Sequence, residues 1–561
     1  MLRMYTDHLL RKQTELSGTW KMEQFSDKEE LLGTYTAVVP SCWQSTRGLE
    51  DFRGHCKYTK KIYTGGGNIR LVFKGVSHTA DVWLDGKYIA HHYTAYTPFD
   101  TVVKNVAPGE HTLEVMADNR MTDYATLNFP NDYYSYGGIT RPVILEELGN
   151  AYIHSLHITP EKTENGWKAT FRLQVKNISG AANLKATVEL LGKTLSFGIP
   201  ENGDVTQTAE FTDVQVWSPE NPALYIAKAT LFEGETPADD LYERFGFREI
   251  KVVGDKIMLN GKPLFIKGFN RHEDFGGIGC AVPESIMNMD IDIILSTGAN
   301  LIRTSHYPND ERFLDLCDER GVLVWEESHA RQLYLPRMQL PHYRKQSADC
   351  IYEMITNHYN HPSIIMWGIL NECETYSDFA VECYRKQIAQ IKSLDRSRPT
   401  TQATNKYCKD QTHDQPDILS FNLYNGWYYD DDPKEFLAKI KAYADENGGA
   451  GKPYIVSEFG AAAIYGYRSF AEVKYSEERQ AKILCNLIDA FSSVDYVSGL
   501  IVWLYADSRV DSDFSAWNSR PKAQNNKGVV DTYRQPKMAY YAVRDAFTKL
   551  PTYQLEEKAN G

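Results

Sequence analysis

From about residue 250 onward, short apolar runs alternate with longer amphipathic stretches. The runs have the length of strands, and most are followed by a helix-like segment such as 284–298. There are eight of them: PLFIKG (263–268), NLIRT (300–304), VLVWE (322–326), IIMWGIL (364–370), PTTQA (399–403), ILSFN (418–422), PYIVSE (453–458) and GLIVWLY (499–505). Eight strand–helix units in about 300 residues predict a (β/α)8 barrel.

The residues before this barrel have a different pattern. Between about 35 and 155, alternating runs such as ADVWLDG (80–86) are separated by turn signals, which predicts an antiparallel sandwich. Similar strands recur as far as 248, a length typical of a second sandwich. We therefore predict a multidomain chain with a jelly-roll β-sandwich at 1–155, an immunoglobulin-like β-sandwich at 156–250 and a catalytic (β/α)8 barrel at 251–561.

Composition narrows the class of function. The chain has 61 Lys+Arg against 74 Asp+Glu, a net charge of −13, which argues against nucleic acid as a partner because nucleic-acid binders concentrate positive charge. It contains no apolar run of spanning length and no recognisable secretory signal, so we expect no membrane partner. Nine cysteines without CxxC spacing favour reduced thiols and a cytoplasmic location over a zinc site.

Polar side chains follow most of the eight apolar runs. Because the carboxyl ends of barrel strands form the face on which active sites lie, we expect these groups to converge on one pocket. In chain order they are Asn270, Arg271, His272, Glu273 and Asp274; Arg303, Ser305 and His306; Glu326, Glu327 and His329; Asn371 and Glu372; Asn422 and Tyr424; Glu458; and Trp503, Tyr505 and Asp507.

Two carboxylates in this set indicate a chemistry. Glu372 follows the fourth run and Glu458 ends the seventh. Paired carboxylates across one pocket are the equipment for glycoside hydrolysis, in which one protonates the leaving oxygen and the other attacks the anomeric carbon. Asn371 is placed to donate to a sugar 2-hydroxyl, and Trp503 to form an apolar floor under a sugar ring. For each residue taken alone, a purely structural role stays open.

Four stretches resemble the signatures of glycoside hydrolase family 2, and they occur in that family's order: GFNRHED (268–274), RTSHYP (303–308), NHPSIIMWGILNE (360–372) and SEFG (457–460). The resemblance covers residues 15–550. It implies hydrolysis with retention through a covalent glycosyl-enzyme, with Glu372 as general acid/base and Glu458 as nucleophile. It further implies sugar contacts at His272 and His306, no cofactor, no metal, and a homo-oligomer. Glu372 must then hold a proton at the start, while Glu458 is ionised.

The substrate is indicated by residues 525–528, Asn-Asn-Lys-Gly, after the eighth run. They resemble the Asn-x-Lys motif that separates β-glucuronidases from other members of the family, which implies that Asn525 and Lys527 hold a C6 carboxylate. Two further segments resemble sugar-binding segments of β-glucuronidases. NLYNGWY (422–428) implies contacts from Asn422 and Tyr424, and DYYSYGGITR (132–141) implies that Asp132 binds the C4 hydroxyl.

Two stretches depart from the pattern of a β-glucuronidase. DSRVDSDFSAWNSR (507–520) is long and carries Arg509 and Arg520, while HARQLYLPRM (329–338) adds Arg331 and Arg337 near the pocket. Glucuronate and galacturonate differ only at C4, so an added arginine can change which of them is preferred. We choose Arg337 as the residue that decides between them.

The prediction is therefore an exo-β-D-hexuronidase that acts on small-molecule β-glucuronides, β-galacturonides or both. Three alternatives stay open. The first is a β-galactosidase or β-mannosidase of the same family, in which Lys527 has no role. The second is a non-catalytic carbohydrate-binding protein, and the third is a metalloenzyme that uses His272, Glu273, Asp274 and His306 as ligands.

Overall fold

The computed structural model describes residues 3–554 as two β-sandwiches followed by a closed barrel. The first sandwich packs a six-stranded sheet, of order β3-β2-β4-β10-β7-β8, against a four-stranded sheet, of order β1-β12-β5-β9. Its strands are β1 Lys12–Glu15, β2 Gly18–Phe25, β3 Leu31–Val39, β4 His55–Thr64, β5 Gly67–Phe73, β6 Val76–Ser77, β7 Thr79–Leu84, β8 Lys87–Tyr93, β9 Phe99–Val106, β10 Gly109–Asp118, β11 Gly138–Ile139 and β12 Val143–Leu148. In β7, the alternation predicted from the sequence buries Ala80, Val82 and Leu84.

The second sandwich has sheets of order β13-β14-β17 and β16-β15-β18-β19. Its strands are β13 Ala151–Thr163, β14 Gly166–Asn177, β15 Leu184–Leu190, β16 Lys193–Gly198, β17 Asp204–Phe211, β18 Tyr225–Glu233 and β19 Thr236–Phe245. A small antiparallel sheet then leads to the barrel through β20 Ile250–Val253, β21 Lys256–Leu259 and β22 Lys262–Pro263. The strand β13 runs across residue 155, the position expected to divide the two sandwiches.

Eight parallel strands close the barrel in chain order, so the predicted barrel is confirmed. They are β23 Ile266–Asn270, β24 Leu301–Arg303, β25 Leu323–Glu327, β26 Ile364–Asn371, β27 Thr400–Thr404, β28 Ile418–Asn422, β29 Tyr454–Phe459 and β30 Val497–Val502. A short pair, β31 Ser508–Arg509 and β32 Gln524–Asn525, follows. The first strand begins later than predicted because Lys262–Pro263 pairs with β21 instead.

The barrel strands are buried on both faces, as the unbroken apolar runs indicate. In β25, Leu323 and Trp325 join one buried cluster and Val324 joins another. The Val324 cluster contains residues of the surrounding helices, so it lies between barrel and helices, while the other fills the barrel interior.

The α-helices around the barrel begin and end at ordinary capping residues. Asp310 accepts a hydrogen bond from the backbone of Arg312 at the start of the second helix, and Gly321, at φ 67°, ends it. The helices are α1 Glu284–Leu295, α2 Glu311–Arg320, α3 Leu335–Met338, α4 Tyr343–His358, α5 Asp378–Leu394, α6 Pro433–Ala444, α7 Glu477–Ser492 and α8 Met538–Phe547. None of the helices formed between residues 3 and 554 has the length and apolar composition that crossing a bilayer requires.

Candidate active site

The two candidate catalytic carboxylates lie at the carboxyl ends of barrel strands. Glu372 follows β26, Glu458 lies in β29, and both are buried. Glu372 has a left-handed backbone with φ of 53°, and its amide donates to the carbonyl of Ala403 at 2.8 Å. A side chain in this region is strained, and such strain is typical of residues that a fold holds in place for function.

The two carboxylates have different hydrogen-bond donors. Glu458 accepts from the guanidinium of Arg303 at 3.0 Å and from the hydroxyl of Tyr424 at 2.7 Å. Glu372 accepts from two neutral amides, Gln332 at 2.9 Å and Asn422 at 3.0 Å. A cationic donor stabilises a negative charge more than an amide does. These hydrogen bonds alone therefore favour the ionised form of Glu458.

The two carboxylates are also electrostatically coupled. Burial and the negative charge of Glu372 raise the pKa of Glu458 to about 8, although Arg303 and Tyr424 oppose the shift. Two close carboxylates cannot both ionise easily, and their protons leave in two steps that belong to the pair. The pair therefore keeps one proton at neutral pH. This state suits a retaining mechanism, in which the acid/base must carry a proton while the nucleophile is ionised.

Arg303 connects the carboxylates to the rest of the pocket and is completely buried. Its guanidinium forms a bidentate pair with Glu327, at 2.9 and 3.0 Å, in addition to its bond to Glu458. It also donates to the side-chain oxygens of Asn270 and Asn371, both at 2.9 Å. Burial raises the pKa of Glu327 to about 7, while Arg303 lowers it.

His272, His306 and Trp503, which were predicted to contact the sugar, form an aromatic wall. The His306 ring stacks on Trp503 at 5.1 Å, and His272 meets Trp503 edge-on at 5.4 Å. Burial lowers the pKa of His272 to about 3 and holds the pKa of His306 well below its ordinary value, so both imidazoles are neutral. The Nε2 atom of each ring is buried without a hydrogen-bond partner among residues 3–554.

Asn371 has the free donor predicted for it. Its Oδ1 accepts from Arg303 at 2.9 Å and from Asn422 at 3.1 Å, which fixes the amide orientation. Its Nδ2 is buried with no acceptor in the described part of the chain. An unmet buried donor costs free energy, so a ligand that accepts from it gains affinity.

A second polar cluster forms around Asp132, which the first sandwich contributes. Arg520 holds both oxygens of this carboxylate at 2.6 Å, and Asn525 donates to Oδ2 at 3.0 Å. Burial favours the neutral acid, but the hydrogen bonds and charge of Arg520 outweigh it and lower the pKa of Asp132. The carboxylate predicted to bind a C4 hydroxyl is thus paired with an arginine 388 residues away along the chain.

Lys527 lies beside this cluster and is 2% exposed. Its ammonium is 5.7 Å from the Tyr424 ring and 5.2 Å from the Tyr428 ring. The nearby acids have other partners, Asp132 with Arg520 and Asp507 with Lys537, and no carboxylate of residues 3–554 forms an ion pair with Lys527. Desolvation of the Tyr428 hydroxyl raises its pKa, but the charges of Lys527 and Arg520 outweigh this effect and lower the pKa below its ordinary value. The local potential is therefore positive.

The structure does not bring Arg337 into either cluster. Its guanidinium donates to backbone carbonyls of the segment 125–128 in the first sandwich, at 2.6 and 2.7 Å. Arg331 is the arginine of this loop whose charge reaches the pocket, where it lowers the pKa of Glu458. That Arg337 decides between glucuronate and galacturonate stays a prediction. Its observed hydrogen bonds place it at the interface between the barrel and the first sandwich.

The residues of the metal hypothesis are held by separate partners. His272 contacts the hydroxyl of Tyr307, His306 contacts Glu327, Glu273 pairs with Arg141, and Asp274 accepts from Tyr136. Three potential ligands that are close enough to share an ion, Asp315, Asp318 and His361, lie outside the pocket. Arg3 and Arg244 form ion pairs with Asp315 there.

Three residues of the site were given no specific role from the sequence. Arg303 lies inside the RTSHYP stretch, so its position was noted without its role. Gln332 was not singled out, and no local pattern marks it. Arg520 was noted as a departure, but its partner Asp132 comes from a distant domain, which only the fold can reveal.

Comparisons with known proteins agree with this architecture. Sequence models of glycosyl hydrolases family 2 match the chain at 58–148 (sugar binding domain), 151–248 (family 2 domain) and 250–551 (TIM barrel domain). A β-glucuronidase of Paenibacillus borealis is 26% identical, covering 98% of each chain. The crystal structure of a β-galacturonidase from Eisenbergiella tayi bound to galacturonate is 44% identical with a TM-score of 0.94, covering 99% of this chain and 100% of that one.

A β-D-glucuronidase from Dictyoglomus thermophilum is 27% identical with a TM-score of 0.86, and the match covers 98% of this chain and 99% of that one. The barrel model alone matches more than half of the chain. The three domain matches follow the order of jelly-roll sandwich, immunoglobulin-like sandwich and barrel, which confirms the predicted fold. The chain therefore belongs to glycosyl hydrolases family 2 and is a glycoside hydrolase.

Proposed function

We propose that this enzyme is a retaining exo-β-D-hexuronidase, which removes one terminal uronic acid from a β-glycoside. The observation that carries the proposal is Lys527, a buried ammonium without a carboxylate partner among the described residues. Burying an unpaired charge is costly, and a ligand carboxylate would relieve that cost. Asn525, whose amide already donates to Asp132, stands next to it in the cluster.

The first chemical step uses the carboxylate pair. Glu458, oriented by Arg303 and Tyr424, attacks the anomeric carbon, while Glu372 gives its proton to the departing oxygen. Asn371 donates from its free Nδ2 to the sugar 2-hydroxyl, a bond that strengthens in the transition state. We expect the two carboxyl groups to be about 5–5.5 Å apart, the separation of retaining enzymes.

The second step reverses the roles. Once Glu458 is an ester, its negative charge is gone, and the ionised Glu372 becomes the base that removes a proton from water. The water attacks the anomeric carbon from the side that the aglycone has left, so the β configuration is retained. Gln332 and Asn422 hold Glu372 in both steps through neutral amides.

We further propose that β-D-galacturonides are preferred over β-D-glucuronides. The ion pair between Arg520 and Asp132 supports this, because it places guanidinium donors where a lone aspartate was expected to meet an equatorial C4 hydroxyl. An axial hydroxyl at C4 needs a donor or acceptor in a different position. The 44% identity to a β-galacturonidase, against 26% to a β-glucuronidase, points the same way.

The test is kcat/KM for p-nitrophenyl β-D-galacturonide, β-D-glucuronide and β-D-galactoside. We expect the preferred uronide to exceed the galactoside by about a hundredfold, roughly 2.7 kcal/mol of transition-state stabilisation. Lys527→Ala should lose at least about tenfold on uronides and little on the galactoside. Lys439→Ala, which removes an exposed lysine from α6, is the matched control and should behave like the parent.

Each outcome decides between the alternatives. A preference for the galactoside, or unchanged uronide activity in Lys527→Ala, would reject the uronate proposal while leaving the two glutamates in place. Turnover by Glu458→Gln equal to that of the parent would favour a non-catalytic binding protein with a contaminating activity. A glucuronide preference would retain the hexuronidase and reject the proposed C4 selectivity.

A further inference from the structure

Two thiols meet where the first sandwich packs against the barrel. Cys42 comes just before the helical turn Trp43–Ser45, and Cys280 lies in the loop after β23. Cys280 packs against a small buried cluster formed by Cys42, Tyr134 and Tyr136. The Cys42 thiol also donates to the backbone carbonyl of Ile278 at 3.0 Å. Neither thiol takes part in the proposed glycosidase chemistry.

A tight turn holds Cys280 in this position. The backbones of Phe275 and Gly279 exchange hydrogen bonds at 3.1 and 2.9 Å. Gly279 has φ of +74°, and a Cβ atom built on it would lie 2.6 Å from the sulfur of Cys42. Only glycine allows the turn to come this close, so the residue after it is held beside Cys42.

The two thiols have unequal acidity. Their mutual hydrogen bond lowers the pKa of the Cys42 thiol, although burial opposes the shift, and the same bond with burial raises the pKa of Cys280 well above its ordinary value. A more acidic thiol beside a less acidic one is the arrangement of a reactive and a resolving cysteine. Cys42 also lines a cavity of about 230 Å³ together with Asp274, Arg509 and Lys522.

We propose that Cys42 and Cys280 form an oxidation site, at which a hydroperoxide converts the pair into a disulfide that joins the first sandwich to the barrel. The Cys42 thiolate attacks the peroxide oxygen, the O–O bond breaks, and the leaving hydroxide takes up a proton to become water. The Cys280 thiol then attacks the sulfur of the sulfenic acid, the S–O bond breaks, and a second water leaves. Two thiols are oxidised while one peroxide is reduced.

The disulfide stabilises the folded protein, because it crosslinks positions 238 residues apart and so restricts the unfolded chain. The segment between β23 and Cys280 also carries His272 of the aromatic wall, and Asp274, which accepts from Tyr136 at 2.9 Å. Oxidation therefore fixes the first sandwich against the loop that shapes the pocket.

The test treats the full-length native enzyme with hydrogen peroxide, blocks the remaining thiols and maps the peptides by mass spectrometry without reduction. We expect a crosslinked peptide containing Cys42 and Cys280, which dithiothreitol reverses, and a rise in Tm of about 2 °C or more. Cys280→Ser should form no crosslink and should leave Cys42 as a sulfenic acid that dimedone traps. Cys408→Ser, which removes an exposed thiol, should crosslink like the parent.

The proposal is overturned if the exposed Cys408 is oxidised while Cys42 and Cys280 both remain free thiols. It is equally overturned if either thiol pairs with another cysteine, or if the crosslinked enzyme unfolds at the temperature of the reduced one. Mapping of the parent decides the question even if Cys280→Ser does not fold.

Discussion

The electrostatics around Glu458 depend strongly on one side chain, Arg303. Its planar guanidinium donates in a fixed fork to Glu327 while the same group reaches Glu458 and two asparagines. A lysine has a single cationic nitrogen and could not supply this geometry. Arg303 therefore does two things at once: it favours the ionised form of Glu458, and it fixes the direction in which that carboxylate points.

The carboxylate pair predicts a pH profile. Since the pKa of Glu458 beside Glu372 is raised to about 8, the last proton leaves the pair near that pH. Above this pH the pair has no proton to give to the leaving group. The value of kcat/KM should therefore fall with rising pH and approach a tenfold loss per pH unit. The measurement is kcat/KM on the preferred p-nitrophenyl uronide between pH 5 and 10, in constant ionic strength.

The variant Glu372→Gln supplies the control for that profile. It removes the negative charge that helps to raise the pKa of Glu458, so that carboxylate should ionise at a lower pH. With an activated leaving group, the residual rate of the first step should rise with pH until Glu458 is ionised. It should then stay level between pH 8 and pH 10. A falling alkaline limb in this variant would show that the limb belongs to a group outside the pair.

At the scale of elements, the excursion between β31 and β32 adds a side to the pocket. It leaves and returns through the pair Ser508–Arg509 and Gln524–Asn525. Near its start it is fixed to the first sandwich by Arg53, which donates to Asp511 at 2.7 Å. The excursion carries Arg520, whose guanidinium pairs with Asp132.

Arg520→Ala tests the function of this excursion. The change leaves Asp132 buried without its cationic partner, close to where the proposed substrate carboxylate binds, so repulsion replaces attraction. We expect kcat/KM on the preferred uronide to fall by at least about tenfold, roughly 1.4 kcal/mol, and the ratio of galacturonide to glucuronide to fall with it. Arg509→Ala removes an arginine from the strand at the base of this excursion, where it pairs with the exposed Asp51, and it should cost less than about threefold. Equal losses in both variants would assign the effect to the excursion as a whole.

The elements differ in how far the sequence reveals them. Seven of the barrel strands could be predicted because each contains an apolar run with its own flanking signals, whereas Thr400–Thr404 has a single apolar residue and a weak pattern. Glu372 and Glu458 could be found because each directly follows or ends such a run. The ion pair between Arg520 and Asp132 could not be predicted, because side chains that pair across 388 residues leave no local pattern in the sequence. Arg337 shows the converse, since an arginine near the pocket in sequence donates to the first sandwich instead.

At the scale of the whole molecule, the barrel alone does not complete the pocket. The first sandwich inserts its segment 131–135 against the barrel, where Asn131 accepts from Arg331 at 2.7 Å and Tyr133 contacts His329 at 3.0 Å. Asp132 lies between them in the sequence and accepts a hydrogen bond from Asn525, in the polar cluster beside Lys527. We therefore expect substrate recognition to depend on how tightly the first sandwich is docked against the barrel.

Arg141 tests that docking. It is buried at the interface, where it donates to Glu273 at 2.7 Å and to the carbonyl of Pro308 at 2.8 Å. Arg141→Met keeps most of the volume but leaves Glu273 buried and unpaired, so we expect a loss of about 3–5 kcal/mol in stability. Adding Glu273→Gln should restore most of it, whereas Arg120→Met, at a partly exposed pair, should cost within about 1 kcal/mol. Calorimetric Tm values compare the four proteins, and an Arg141→Met enzyme that unfolds with the parent would show that the docking does not depend on this ion pair.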